Sequence, residues 1–299
     1  MKTNKIIVIA GPTGVGKTQL SVSLAKKYNA EIINADSMQI YKDLNIGTAK
    51  ITKEETEGIP HHLFSIKAPN EAYSIYDYQK DCRNCIKEIK ERGKNVIIVG
   101  GTGLYIKSAL YNYKLEENPI KNNYEQFTLE QLWQKLISKD KKAIGKIDKN
   151  NRRRVENALN YYENYHKSIT ENITDELLYD TIFIGLTTKR DNLYNIINNR
   201  VDKMIKSGLI EEVKHFHEQN IRTKPLTGGI GYRELYSYFD GNISLEKAIS
   251  DIKKDSRNYA KRQYTFFNNK LPIIWFDTNY DNFNETIKKV SNYIDSIIN

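Results

Sequence analysis

The chain has 299 residues, 28% of them charged and 39% hydrophobic, enough for one large domain with an insert, and it lacks an apolar stretch of roughly eighteen residues that would span a membrane. No charged-then-apolar leader precedes the first apolar run, so residence in the cytoplasm is expected. The formal net charge of +9 exceeds what an enzyme of small metabolites needs and points to a polyanionic partner, with a generally Lys-rich and Asn-rich proteome as the alternative.

The first expected element is a strand over residues 5–10, followed by Gly11-Pro12-Thr13-Gly14-Val15-Gly16-Lys17-Thr18 and a helix to residue 28. That run fits G-x-x-x-x-G-K-[ST] in its strand-to-helix context. Its glycines let backbone N–H groups wrap a phosphate, the helix adds its positive end, Lys17 supplies a point charge and Thr18 offers a hydroxyl to Mg2+. A diphosphate site is expected; the alternative is a Gly-rich turn with no ligand. A second strand over 31–34 leads to Asp36, which reaches the same carboxyl edge of a parallel sheet as the phosphate loop. A third is expected at His61-His62-Leu63-Phe64, where adjacent histidines face opposite ways and do not share a metal. A helix near 74–92 carries Cys82 and Cys85 on the stripe of Ile75, Tyr78, Ile86 and Ile89, which reads as buried thiols, not a redox or zinc pair.

Strand 96–99 runs into Gly100-Gly101-Thr102-Gly103-Leu104-Tyr105, with no carboxylate where an ATP-hydrolysing P-loop protein carries its Mg2+-holding acid. Asp36 is then the nearest well-placed acid. An acid there suits proton removal from an acceptor, and so group transfer in place of motor or switch work. From 112 to 180 no strand is expected, and Leu129, Leu132, Trp133, Leu136 and Ile137 recur at helical spacing. Residues 181–186 return to the sheet, helices follow over 191–239 and 245–268, and 272–276 close as an edge strand. The expected fold is α/β, a P-loop NTPase-like parallel sheet core with helices on both faces, built from 1–111 and 181–299, with a helical insertion domain at 112–180.

Arg200 lies near the centre of the apolar face formed by Leu193, Ile196, Ile197, Val201 and Met204. Diphosphate capture, a buried salt bridge and snorkelling at the helix end fit that position equally. Arg152-Arg153-Arg154, and Lys253, Arg257 and Lys261 with Arg262, form basic clusters that suit a nucleic-acid backbone or a solvated face.

Taken in order, these segments resemble the tRNA dimethylallyltransferase family, also called tRNA isopentenyltransferases. The resemblance rests on Gly11 to Thr18, Asp36 to Tyr41 with Ile46 to Lys50, Pro60 to Leu63, and Val99 to Tyr105. It continues through Arg153-Arg154-Val155 before Ala158-Leu159, Arg200 to Met204, Gly229 to Leu235, and Ala260 to Gln263, and so covers nearly the whole chain. It implies transfer of a dimethylallyl group from dimethylallyl diphosphate to N6 of the adenosine beside the anticodon, in tRNAs that read codons beginning with U. The diphosphate would be held by Gly11, Pro12, Thr13, Gly14, Val15, Gly16, Lys17 and Thr18, by Mg2+ on Thr18, and by Arg200. Asp36 would accept the proton, with Arg200 and Thr102 on the leaving group. The implied contacts to the tRNA anticodon stem-loop are Asp36, Ser37, Met38, Gln39, Thr102, Lys121, Arg153, Arg154, Val155, Glu156, Asn157, Arg233, Lys261, Arg262 and Gln263, with the helical insert as the tRNA-binding subdomain. A monomer is the default expectation.

Two departures stand out. The stretch after Leu110 that carries Lys121 is shorter than the family's, and Thr265-Phe266-Phe267-Asn268 stands where its members often have Thr-Trp-Phe-Arg. Three rival readings are an adenylate isopentenyltransferase, disfavoured by the basic segments; a small-molecule kinase, which leaves Gly100 to Tyr105 unexplained; and a non-enzymatic RNA-binding protein, which has no use for Asp36.

Overall fold

The computed structural model describes residues 5–117, 120, 122–171 and 173–298. In chain order its elements are β1 (Ile6–Ala10), α1 (Lys17–Tyr28), β2 (Ala30–Asn34), β3 (His61–His62), α2 (Ile75–Glu91), β4 (Asn95–Gly100), α3 (Gly103–Leu110), β5 (Tyr111–Tyr113), α4 (Leu129–Lys139), α5 (Arg152–Tyr165), β6 (Ile173–Leu177), β7 (Thr181–Thr187), α6 (Arg190–Lys206), α7 (Leu209–Glu218), α8 (Lys224–Gly228), α9 (Tyr232–Phe239), α10 (Leu245–Lys270), β8 (Ile274–Asp277) and α11 (Phe283–Ile298). They fall into two compact units: Met1–Tyr73, Asp81–Lys107 and Tyr179–Asn299 form one, and Ser74–Lys80 with Ser108–Leu178 form the other.

Six parallel strands in the order β3-β2-β4-β1-β7-β8 make the sheet of the first unit. Its central strands are unbroken apolar runs, as a sheet covered on both faces requires. Ile6, Ile7, Val8, Ile9 and Ala10 expose no surface, and Ile9 stands between Val99 of β4 and Ile184 of β7. Helices α1, α6 and α11 pack against the face that carries Ile7, Ile9, Ile32, Ile97 and Ile184. Helix α11 was not anticipated, although Phe283, Ile287, Val290 and Ile294 recur three and four residues apart. The strand expected at 61–64 shortens to His61–His62, because Leu63 and Ser65 take φ of 61° and 52° and turn the chain off the sheet edge. Burial, with Glu88 and Asp81 adding to it, pushes the Cys85 thiol up to about 11, so it stays protonated, and Cys82 is buried.

The second unit encloses a small core of Leu132, Leu136, Val155, Ala158 and Leu159 between α4 and α5. Each helix begins with a side-chain cap: Thr128 and Gln131 form a capping box, and Asn151 accepts from the Arg154 N–H at 3.2 Å. Where only helix was expected, β6 pairs antiparallel with β5, setting Tyr111 opposite Leu177 and Tyr113 opposite Ile173. β5 is three residues long and β6 carries Asp175 and Glu176, too short and too polar a pair to show as apolar strands.

Candidate active site

Strand order creates the site. Because β4 lies between β1 and β2, the loops leaving all three emerge side by side at one carboxyl edge. The β2–β4 pairing runs on past the strand ends, with Ala35 N–H donating to Val99 O at 2.7 Å and Thr102 N–H to Ala35 O at 2.9 Å. Gly100 permits that contact: a Cβ there would lie 2.2 Å from the Ala35 carbonyl. Buried Asn34 sets Asp36 from both sides. Its Oδ1 accepts from Asp36 N–H at 2.8 Å, and its Nδ2 donates to the carbonyls of Asp36 and Leu63, each at 3.0 Å. Asp36 Oδ1 in turn accepts from Met38 N–H at 3.0 Å, closing an Asx turn.

On the adjacent strand, Gly11, Gly14 and Gly16 take φ of 142°, 87° and 89°, which residues with a side chain rarely adopt. A Cβ on Gly16 would also sit 2.4 Å from the Phe283 ring. Lys17 Nζ donates to Gly11 O at 2.9 Å and Pro12 O at 2.6 Å, while Thr18 is exposed on the first turn of α1. Burial, then the charge of Arg200, pulls the Lys17 ammonium down to about 7, and Asp36 opposes the fall. Burial also lowers Arg200, again opposed by Asp36. Lys17 and Arg200 thus both feel the one carboxylate of Asp36, and the two cations beside the phosphate loop suit an anionic ligand there.

These loops, with α6, α9 and α10, wall a cleft of about 1010 Å3 in the first unit. Thr13, Gly14, Gly16, Lys17, Thr18, Asp36, Ser37, Met38, Gln39, Arg200, Arg233, Arg262 and Gln263 all line it. Val15 turns to the core, and its carbonyl accepts from Thr278 Oγ1 at 3.0 Å. Arg200 reaches Thr48 O from Nη2 at 3.5 Å, so of the three readings open from sequence it faces the cleft. The Thr102 hydroxyl accepts from Ser37 N–H at 3.1 Å and supports the Asp36 loop. Gln39 Nε2 donates to Thr48 O at 3.0 Å. Gln263 is buried and donates to Gly101 O at 3.0 Å, bracing the loop after β4.

Several cations are spent on structure. Arg233 pairs with Glu234 and Asp255, Lys253 with Asp202 at 2.6 Å, and Arg257 donates to Asn198 Oδ1 at 2.6 Å. Lys261 and Arg262 remain exposed, with Arg262 5.7 Å above the Tyr259 ring. In the second unit Arg153, Arg154 and Asn157 are exposed on α5, Glu156 pairs with Arg152 at 2.7 Å, and Val155 has no exposed surface because it faces the core. Lys121 lies outside the described residues. In the sequence Tyr259 stands with Tyr161, Tyr162 and Tyr264 as an aromatic near the basic clusters that could stack on a base, a weak signal in a chain with 21 tyrosines. It lines the cleft one helical turn before Gln263, and burial followed by the charge of Asp36 pushes its phenol up to about 12, against hydrogen bonds from Thr102 and Gln263.

A parallel sheet covered by helices, a phosphate-cradling strand-to-helix junction and an aspartate on the neighbouring loop define a P-loop α/β protein with an anion-binding site. The profile of the IPP transferase family matches residues 39–270. The chain is 48% identical to the tRNA dimethylallyltransferase of Anoxybacillus flavithermus, over 97% of this chain and 96% of that protein. It resembles the crystal structure of full-length tRNA isopentenylpyrophosphate transferase from Bacillus halodurans with a TM-score of 0.77 and 41% identity, over 98% of this chain and 96% of that one. A eukaryotic dimethylallyltransferase acting on tRNA matches with a TM-score of 0.86 and 32% identity, over 99% of this chain and 81% of that one. The chain belongs to the IPP transferase family, as its motifs led us to expect.

Proposed function

We propose that this protein transfers a dimethylallyl group from dimethylallyl diphosphate to N6 of the adenosine beside the anticodon in tRNAs reading codons that begin with U. The observation that carries this reading is the meeting of a phosphate loop, the Lys17–Arg200 pair and Asp36 in one cleft. The family shared with proteins named for this activity supports it.

In the proposed reaction the N6–C bond forms as the C–O bond to diphosphate breaks, and the electron pair leaves with the diphosphate. N6 is a poor nucleophile because its lone pair is delocalised into the ring, so proton transfer to Asp36 as the bond forms lowers the barrier. The Asn34 clamp and the Met38 N–H fix that carboxylate before substrate arrives. Charge growing on the departing diphosphate is met by Lys17, Arg200 and the N–H groups of the loop from Gly11 to Thr18. Thr102 acts through Ser37, holding the Asp36 loop to the loop after β4. An adenine must leave its stack to reach an acid at the bottom of such a cleft, which suits an anticodon loop better than a duplex.

Among the described residues no group of three or more His, Cys, Asp or Glu gathers to hold a metal. A Mg2+ here would be bound by Thr18 and by the diphosphate oxygens, neutralising phosphate charge. We place the reaction in the cytoplasm and assign it to a monomer; no helix of the described residues is long and apolar enough to cross a membrane.

The test is incubation with Mg2+, labelled dimethylallyl diphosphate and unmodified tRNA, with AMP and ATP-only reactions in parallel. Label in tRNA is expected. Label in AMP, or phosphate released from ATP, overturns the proposal in favour of the corresponding rival.

A further inference from the structure

The turn over residues 45–50 contributes Gly47, Thr48 and Ala49 to the wall of the cleft, and its backbone is held by an acid from a distant helix. Glu212, in the first turn of α7, accepts from three successive backbone N–H groups: Asn45 at 2.9 Å and Ile46 at 2.7 Å on Oε2, and Gly47 at 3.1 Å on Oε1. Three converging N–H groups form an anion-binding nest. Tyr232 completes it, its hydroxyl donating to Glu212 Oε1 at 2.6 Å. The Tyr232 ring has no exposed surface and lies 2.7 Å from where a Cβ on Gly47 would be, so any larger residue at position 47 would displace the turn.

The next residue beyond the nest carries the consequence. Thr48 O accepts from Arg200 Nη2 at 3.5 Å and from Gln39 Nε2 at 3.0 Å, while Thr48 Oγ1 donates to Leu44 O at 2.6 Å. Gly47, Thr48, Ala49 and Tyr232 line the cleft, and Glu212 does not. Arg200 meets the Thr48 carbonyl at 3.5 Å and feels the charge of Asp36, so a shift of the turn changes one of the two groups that bear on its guanidinium.

We propose that Glu212 is a positioning residue for the donor site, which acts by filling the Asn45–Gly47 nest and so setting the Thr48 carbonyl against Arg200. The proposal rests on the donor reading above. Replacing the carboxylate by an amide puts a donor among three donors, opens the nest and lets Thr48 move. Displacement of a binding group by about 1 Å can cost roughly 100-fold in rate, so a loss of about 10- to 100-fold in kcat/KM for the donor is expected.

A double-mutant cycle tests this with two readouts: kcat/KM for dimethylallyl diphosphate, and Kd for inorganic diphosphate by calorimetry. Glu212→Gln alone is expected to weaken diphosphate binding and donor kcat/KM together, while KM for tRNA changes less than threefold. In an Arg200→Ala background the same change is expected to cost less than threefold, because the group it positions is gone. Tyr232→Phe, which keeps the nest, is expected to give a smaller loss of the same kind, and Glu212→Asp serves if Glu212→Gln fails to fold. Additive losses in the double variant, or equal losses for donor and tRNA, overturn the proposal. If the unaltered protein binds diphosphate yet labels no tRNA, the transfer reading fails while the coupling between Glu212 and Arg200 is still measured.

Discussion

The two units use charge in different ways. In the sheet unit, several ionised groups near the cleft are tied to specific partners: Glu212 to three N–H groups, Arg233 to two carboxylates, Lys17 to two carbonyls of its own loop. In the helical unit, Arg152 is tied to Glu156 and to the carbonyls of Phe127 and Tyr124, but Arg153 and Arg154 stand free of the core on an exposed face. The sheet unit places several of its charges through main-chain hydrogen bonds, as bond-making needs. The helical unit also ties Glu163 to Lys139, Tyr124 and Asn122, and the cations it leaves exposed are of the kind that suits a sugar-phosphate backbone.

Asp36→Asn cuts most sharply at this difference. With its Met38 bond retained and its proton affinity gone, kcat should fall about 100- to 10,000-fold while tRNA affinity changes little, as single-turnover rates and filter binding will show. Equal losses in both would move Asp36 from chemistry to binding. Next in size is Leu159→Ala, which opens the small core of the helical unit at a position with no exposed surface, and should destabilise that unit by about 2–5 kcal/mol. Denaturant titration should show tRNA affinity falling with it while diphosphate Kd holds. A parallel loss of diphosphate binding would show that the two units do not act separately.

Lys17 sharpens the donor side. Burial and Arg200 draw the free Lys17 ammonium down to about 7, and the charge of a bound diphosphate should raise it, so that above pH 7 the complex would hold more protons than its components. Diphosphate affinity should therefore fall by up to about tenfold per pH unit above 7, beyond the ligand's own titration, and Lys17→Ala should remove that excess slope. By the same linkage, the depressed value makes the protein alone gain stability as pH rises from about 7 toward the ordinary lysine value near 10.4, because the unfolded chain binds the extra proton there. The smallest effect is expected from Arg154→Ala: a few-fold loss in tRNA affinity, uniform across tRNA sequences, with the salt slope reduced by about one. A loss confined to particular tRNAs would mean that the helical unit reads bases.

The local sequence by itself determined the parallel strands, because fully covered strands must be apolar runs, and the phosphate loop, because its function depends on eight contiguous residues from Gly11 to Thr18. It also placed Asp36 at the right edge, since a residue just past a strand end has one place to go. Only the tertiary structure decided which cations face the cleft. Arg200, Arg233, Lys253 and Arg257 are all basic residues on helices, yet only the first two line the cleft, Arg233 there tied to Glu234 and Asp255, while Lys253 meets Asp202 and Arg257 finds Asn198 from 59 residues away. The nest held by Glu212 lies across 167 residues of chain. Such pairings leave no periodic trace, because a hydrogen bond to a backbone N–H asks nothing of the side chains on the segment it holds.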